Sequence, residues 1–279
     1  ILLGTGTPAP LAERQSAALV VDTGRSRLVF DAGRAVTTQL ARVGIPLAGI
    51  QNIFLTHHNY DHICGLGDLL LSAWHAGAPA VRLAGPHGTD TIVQALFEQV
   101  YAREIAFTQR LQQVLGEPFQ LPADVVQVTT IMPGDVIHGD GWSVAAAAVD
   151  HGRALGLRYE EWPCLAYAVE TQGKRIVISG DTIMCAEIVA LARSADLLVQ
   201  CCHRSELAIM SPAQRLIDEK VIASARQAGE IAARAGVKTL LLTHLSPMTA
   251  EELAGVLDDV RCVWNGNVIL GEDLLSVEV

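Results

Sequence analysis

Four apolar runs in this chain end on the same kind of chemistry. Ile53-Phe54-Leu55 leads into Thr56-His57-His58-Asn59-Tyr60-Asp61-His62. The run 143–149 ends on Asp150-His151-Gly152, the run 175–178 on Ser179-Gly180-Asp181-Thr182, and the run 238–242 on Thr243-His244. Each run is short and apolar, so each reads as a buried strand. A polar residue at the end of such a strand sits where an α/β fold opens its cleft. A lone histidine is more often a satisfied structural residue than a ligand. Here the placement recurs, and Thr-His appears twice in the same context. Four such strand ends meeting at one edge would offer enough nitrogen and oxygen donors for one or two divalent metal ions.

The rest of the pattern supplies the frame. Strands are expected at 1–3, 17–21, 27–30, 53–55, 80–83, 125–131, 143–149, 165–170, 175–178, 196–200 and 238–242, with closing strands in 268–279. Helical spacing marks 34–43, 67–76, 88 to about 115 with a weakening near Phe107, 220–235 and 249–257. This mixture predicts an α/β sandwich of the αββα type, two mixed sheets face to face with helices on both outer faces. No linker or low-complexity tract interrupts it, so residues 1–279 read as a single domain.

Composition narrows the partners. The net charge is −10, and the 20 Lys and Arg are scattered without a cluster. Affinity for nucleic acid comes largely from neutralising phosphates, so a nucleic-acid partner is disfavoured on this reading. The six cysteines form no CxxC pair and no regular spacing, which argues against a disulfide scaffold or a zinc knuckle. No apolar run approaches the ~18 residues that span a bilayer. With no signal peptide in view, a cytoplasmic location is expected.

The residues at the strand ends resemble the motif of the metallo-β-lactamase superfamily, His-x-His-x-Asp-His followed by a His, an Asp and a final His. In this chain the pattern falls on His57, Asn59, Asp61 and His62, then His151, Asp181 and His244. The resemblance is nearest to the ribonuclease Z and arylsulfatase branch. It rests on Leu3-Gly4-Thr5-Gly6-Thr7, Gly85-Pro86-His87-Gly88, Pro163-Cys164-Leu165-Ala166-Tyr167 and Thr243-His244-Leu245-Ser246-Pro247. It implies the αββα fold and a metal-dependent hydrolase, and in this branch often a homodimer. It further implies a first metal site of His57, Asn59 and His151, a second of Asp61, His62 and His244, and Asp181 as a bridge. Zinc is the implied ion, one or two per chain, with Mn or Fe as harder alternatives. Asp61 is implied as the catalytic residue that holds the nucleophilic water or passes a proton to the leaving group.

Three departures shape the expected chemistry. Asn59 stands where the family has its second His, which leaves three arrangements for the first site. It is filled through a water or by a harder metal, it is empty, or His58 swings in. Ribonuclease Z relatives carry a His-Glu pair after the strand equivalent to Leu197-Leu198-Val199, where this chain has Gln200-Cys201. They also carry a His where it has Val221-Ile222-Ala223. The proton-handling groups for RNA cleavage are thus missing. The expectation is therefore hydrolysis of an ester-type bond, a carboxylic ester, lactone or aryl sulfate, in a small organic molecule. A ribonuclease Z-like phosphodiesterase and a non-catalytic ligand-binding relative are the alternatives. His203 and Arg204 are candidates for orienting an anionic group. Trp162, in the loop after His151, is a candidate for stacking on the substrate.

Overall fold

A computed structural model describes residues 1–279. The first sheet runs β1 (Leu2–Gly4), β2 (Ala18–Asp22), β3 (Arg27–Phe30), β4 (Asn52–Phe54), β5 (Val81–Gly85) and β6 (Val126–Thr130) in spatial order. Its first three strands are antiparallel and the rest are parallel. The second sheet holds β7 (Val136–Gly139), β8 (Trp142–Ala148), β9 (Leu165–Thr171), β10 (Lys174–Ile178), β11 (Leu197–Cys201), β12 (Thr239–Thr243) and β13 (Asn267–Leu270). Strands β7 to β10 alternate in direction, whereas β10 to β13 are parallel.

The layers follow from which face of each strand is apolar. Phe30, Phe54, Trp142, Val144, Tyr167, Val169 and Val199 fill the space between the sheets. The outer face of the first sheet is covered by the helices Val36–Arg42 and Leu66–His75, through Val36, Leu40, Leu66, Leu69 and Leu70. The outer face of the second is covered by Ala225–Ala235 and Ala250–Arg261, through Ala228, Ile231, Ala232, Val256 and Val260. The αββα sandwich expected from the sequence is the observed fold.

Strand direction brings the chemistry to one edge. Strands β8 and β10 both run antiparallel to β9, so their C-terminal ends lie together. Strands β10 and β12 each run parallel to β11 and end on the same side. Contact between sheets adds β4: the Leu165 amide donates to the Thr56 carbonyl at 2.9 Å, and the Tyr167 hydroxyl donates to the Leu55 carbonyl at 2.6 Å.

Element boundaries differ from expectation where local chemistry is ambiguous. The helical stretch 88–115 is three pieces: Thr89–Ala95, a π-helical segment Leu96–Val100, and Ala102–Leu115, so the break falls at Tyr101 rather than Phe107. The stretch 220–235 contains the end of a separate helix, Pro212–Lys220, and then Ala225–Ala235 begins afresh with Ser224 accepting from the Gln227 amide. The edge strand β7 escapes a reading based on apolar runs because it is partly exposed along its length. Of 268–279, only the part up to Leu270 is strand.

Candidate metal centre

The site begins with an aspartate that holds two candidate ligands in place. Asp31 follows β3 with a backbone φ of 60°, a left-handed conformation uncommon outside glycine. Its carboxylate accepts from the Thr56 amide at 2.8 Å and the Thr56 hydroxyl at 2.9 Å. The Thr56 hydroxyl has then given its only proton, so it accepts from His57 Nδ1 at 2.9 Å. That fixes the tautomer of His57 and leaves Nε2 facing inward. The same Asp31 carboxylate takes His62 Nδ1 at 2.8 Å, leaving His62 Nε2 inward as well.

The short helix Tyr60–Ile63 places Asp61 beside His62. Gly180 delivers Asp181: its φ is +58°, and a Cβ there would lie 2.8 Å from the Leu165 carbonyl oxygen and 2.9 Å from Thr56 Cβ, so only glycine fits. His244 follows β12, also in a left-handed conformation at φ 60°. Strain of this kind persists only where the surroundings hold it, and here it aims a ring at the centre.

The donors converge. His244 Nε2 is 3.2 Å from Asp61 Oδ2 and 3.3 Å from Asp181 Oδ2. His62 Nε2 is 3.5 Å from Asp181 Oδ1 and 3.7 Å from Asp61 Oδ2. His57 Nε2 lies 3.9 Å from Asp181 Oδ2. All five side chains are buried, with Asp61 only 1% exposed. Two triads have ligand atoms within 4.8 Å of one another: His57, His62 and Asp181, and Asp61, His62 and His244.

Electrostatics reflects the crowding. Burial pushes His57 well below the usual histidine range, and the neighbouring His62 adds to it. Burial opposes the charged form of His62 too, yet Asp181 and Asp31 together outweigh it and hold the ring well above that range. Asp181 sits well below the carboxylate range because His244 and His62 overcome its own burial. The buried atoms His57 Nε2, Asp61 Oδ1, His62 Nε2 and Asp181 Oδ1 have no hydrogen-bond partner. Buried polar atoms are rarely left so. A divalent cation with borderline N and O preferences satisfies them together, so these residues fit a metal ion.

The remaining expected residues take other positions. His151 Nε2 is 3.9 Å from Asp181 Oδ2 and 3.0 Å from the Asn59 amide nitrogen, while its Nδ1 meets the Val221 carbonyl at 2.7 Å. His58 does not swing in: its Nε2 engages the Thr89 hydroxyl at 2.9 Å. His203 and Arg204 are tied up with a buried aspartate absent from the sequence reading. His203 Nδ1 reaches Asp218 at 2.7 Å, and Arg204 covers His203 Nε2 at 3.0 Å. Trp162 is half-buried against the apolar layer outside the second sheet. Gln200 is fully buried and donates to Cys201, and Ile222 packs with Cys201 and Ala223, so neither position carries a proton-transfer group. Asp31 is the residue that sequence reasoning missed. Its signal was present, since Asp31-Ala32-Gly33 also follows an apolar strand.

A two-sheet sandwich with His and Asp side chains gathered at strand ends defines a metal-dependent hydrolase class. The model of the beta-lactamase superfamily domain matches residues 20–245. The chain belongs to the metallo-β-lactamase superfamily and is a hydrolase of it. A ribonuclease Z of Mycobacterium marinum is 34% identical over 287 residues, spanning 100% of this chain and 97% of the relative. A ribonuclease Z of Mycobacterium bovis is 32% identical over 286 residues with the same coverage. Among solved structures, the metallo-beta-lactamase fold protein YhfI of Bacillus subtilis superposes with TM-score 0.72 at 18% identity, covering 98% of this chain and 95% of that one. The short form of human tRNase Z does so with TM-score 0.67 at 21% identity, covering 100% and 98%.

These relatives overturn two expectations: the small-molecule ester, lactone or sulfate substrate, and the improbability of a nucleic-acid partner. Relatives similar along their whole length are named for ribonuclease activity. The physical reason lies in what was counted. A net charge of −10 sums the whole surface, whereas phosphate is attracted by the local field at a site. The absent His-Glu pair bears on how protons move, not on which bond is cut. No helix is long and apolar enough to cross a membrane.

Proposed function

We propose that this chain is a metal-dependent phosphodiesterase of the ribonuclease Z type, acting on RNA. The observation that carries the reading is full-length similarity at 32–34% identity to relatives named ribonuclease Z. The buried, unpartnered donors of His57, Asp61, His62 and Asp181, together with His244, are the machinery consistent with it. Zinc is the ion best matched to this donor set, and when bound it supplies a Lewis acid that lowers the pKa of water from ~15.7 toward ~7.

The chain's own groups then divide the work. Asp31 orients His62, and Thr56 orients His57. Asp61 is the catalytic residue: its buried carboxylate has two oxygens, so one can hold an ion while the other takes a proton from the attacking water or delivers one to the leaving oxygen. Gln200 and Ile222 contribute no proton, which concentrates that role on Asp61. His203, Arg204 and Trp162 stay candidates for contacts with the substrate beyond the centre. The family resemblance also supports a homodimer.

The test compares wild type and Asp61→Ala, each reconstituted with zinc, on a tRNA transcript, an unstructured RNA and bis(p-nitrophenyl) phosphate. Wild type is expected to cleave RNA, and Asp61→Ala to lose roughly 100-fold or more in rate. Zinc-loaded wild type that leaves both RNAs and the phosphodiester intact would overturn the proposal.

A further inference from the structure

Asn59 and His151 occupy two positions of the expected first metal site, but the geometry turns them toward each other. The Val221 carbonyl can only accept, so the 2.7 Å contact places the proton of neutral His151 on Nδ1. Nε2 then carries the lone pair that a metal would need. The Asn59 amide lies 3.0 Å from that atom. An amide oxygen there would set one lone pair against another, so the NH2 group must face His151 and donate to it. One hydrogen bond thus occupies the ligand atom of His151. It also turns the donor end of the Asn59 amide, not its oxygen, toward the centre. The other positions differ: Nε2 of His57 and His62 and one oxygen each of Asp61 and Asp181 are buried without partners, and the only hydrogen-bond partner of His244 Nε2 is the Asp61 carboxylate, itself one of the donors, at 3.2 Å. Neither triad of converging donors includes His151.

We infer that the chain carries a single-ion centre on Asp61, His62, Asp181 and His244, with His57 beside it. Asn59 acts in this centre as a hydrogen-bond donor that holds His151 out of the coordination sphere. The inference rests on the metal-dependent reading of the site but not on its substrate. A neutral amide in place of an imidazole removes one ligand directly and a second through the bond it makes. The consequence is an asymmetric centre, in which one half of the family pattern is kept for metal and the other becomes a hydrogen-bonded pair.

The experiment is a zinc titration of the full chain, read by elemental analysis after gel filtration and by 15N NMR of labelled histidine. Wild type is expected to retain one equivalent per chain. The Nε2 signals of His62 and His244 should move, and the His151 signals should stay those of the Nδ1–H tautomer. Asn59→His restores a ligand and releases His151, so it is expected to raise affinity for a second equivalent roughly 10–100-fold and to move the His151 Nε2 signal. Two equivalents in wild type, with His151 Nε2 shifting as zinc is added, would overturn the inference and leave the hydrolase reading standing. Failure of wild type to bind any zinc would overturn both. The wild-type spectra decide the matter even if Asn59→His folds poorly.

Discussion

At the residue scale, Asp31 touches no ligand-binding atom of the centre yet organises two of the rings that do. It holds Thr56 twice and His62 once, and through Thr56 it sets the tautomer of His57. Groups that orient metal-binding histidines typically govern affinity by 10–100-fold. Asp31→Asn keeps the size but cannot accept equally from all three donors. It is expected to weaken zinc binding by about that factor, measured by competition with a chromophoric chelator while circular dichroism confirms the fold. Affinity equal to wild type would show that packing alone fixes His62. The candidate donors were legible because each follows an apolar strand, and that context separates them from ordinary histidines. The pairing of His203 with Asp218 was not legible, because it joins a strand end to a helix through folding alone. The partner of Asn59 was hidden for the same reason, since residues 59 and 151 meet only when the two sheets do.

At the element scale, the loop after His151 is clipped to the helix Ala186–Leu191 by Arg153 and Glu187, with contacts of 2.8 and 3.2 Å. The hydrogen bonds from Arg153 hold the Glu187 carboxyl down at about 2, from an ordinary 4.5. A carboxylate depressed in the folded state stabilises above its unfolded pKa and loses that contribution as pH falls. Here the loss runs from about 4.5 down to about 2. Both side chains are more than a third exposed, 44% and 38%, so solvent screening limits the pair to under about 1 kcal/mol. Glu187→Gln is expected to lower the urea midpoint slightly at neutral pH and to converge on wild type as pH drops below about 4. A gap that widens with acid would contradict the sign. The sequence placed strands well because apolar runs of five or so residues have few other fates. It started the helix at 220 and missed Pro212–Lys220, because only the four uncharged residues 221–224, ending in the Ser224 cap, separate that helix from Ala225–Ala235, and Val221 continues the apolar spacing of the second.

At the scale of the whole molecule, the centre exists only because two sheets meet in one register. The stretch after β4 supplies Asp61 and His62, with His57 beside them, from the first sheet, while Asp181 and His244 follow strands of the second. Tyr167 on β9 crosses the interface. It is fully buried among Phe30 and Phe54, at ring distances of 5.7 Å, and its hydroxyl donates to the Leu55 carbonyl at 2.6 Å, two residues before His57. Burial pushes this hydroxyl well above the usual tyrosine range, so it stays a donor throughout the physiological range. Tyr167→Phe keeps the ring and its packing but leaves a buried carbonyl without that donor, a cost of about 1–3 kcal/mol. For a chain of this size that is a fall in Tm of several degrees, at roughly 2–4 °C per kcal/mol. Because the lost bond ties the sheets together beside the centre, zinc affinity is expected to fall along with Tm. Calorimetric melting and zinc competition on the same sample measure both. A lowered Tm with unchanged zinc affinity would mean that Asp31 and Thr56 hold His57 without help from the second sheet.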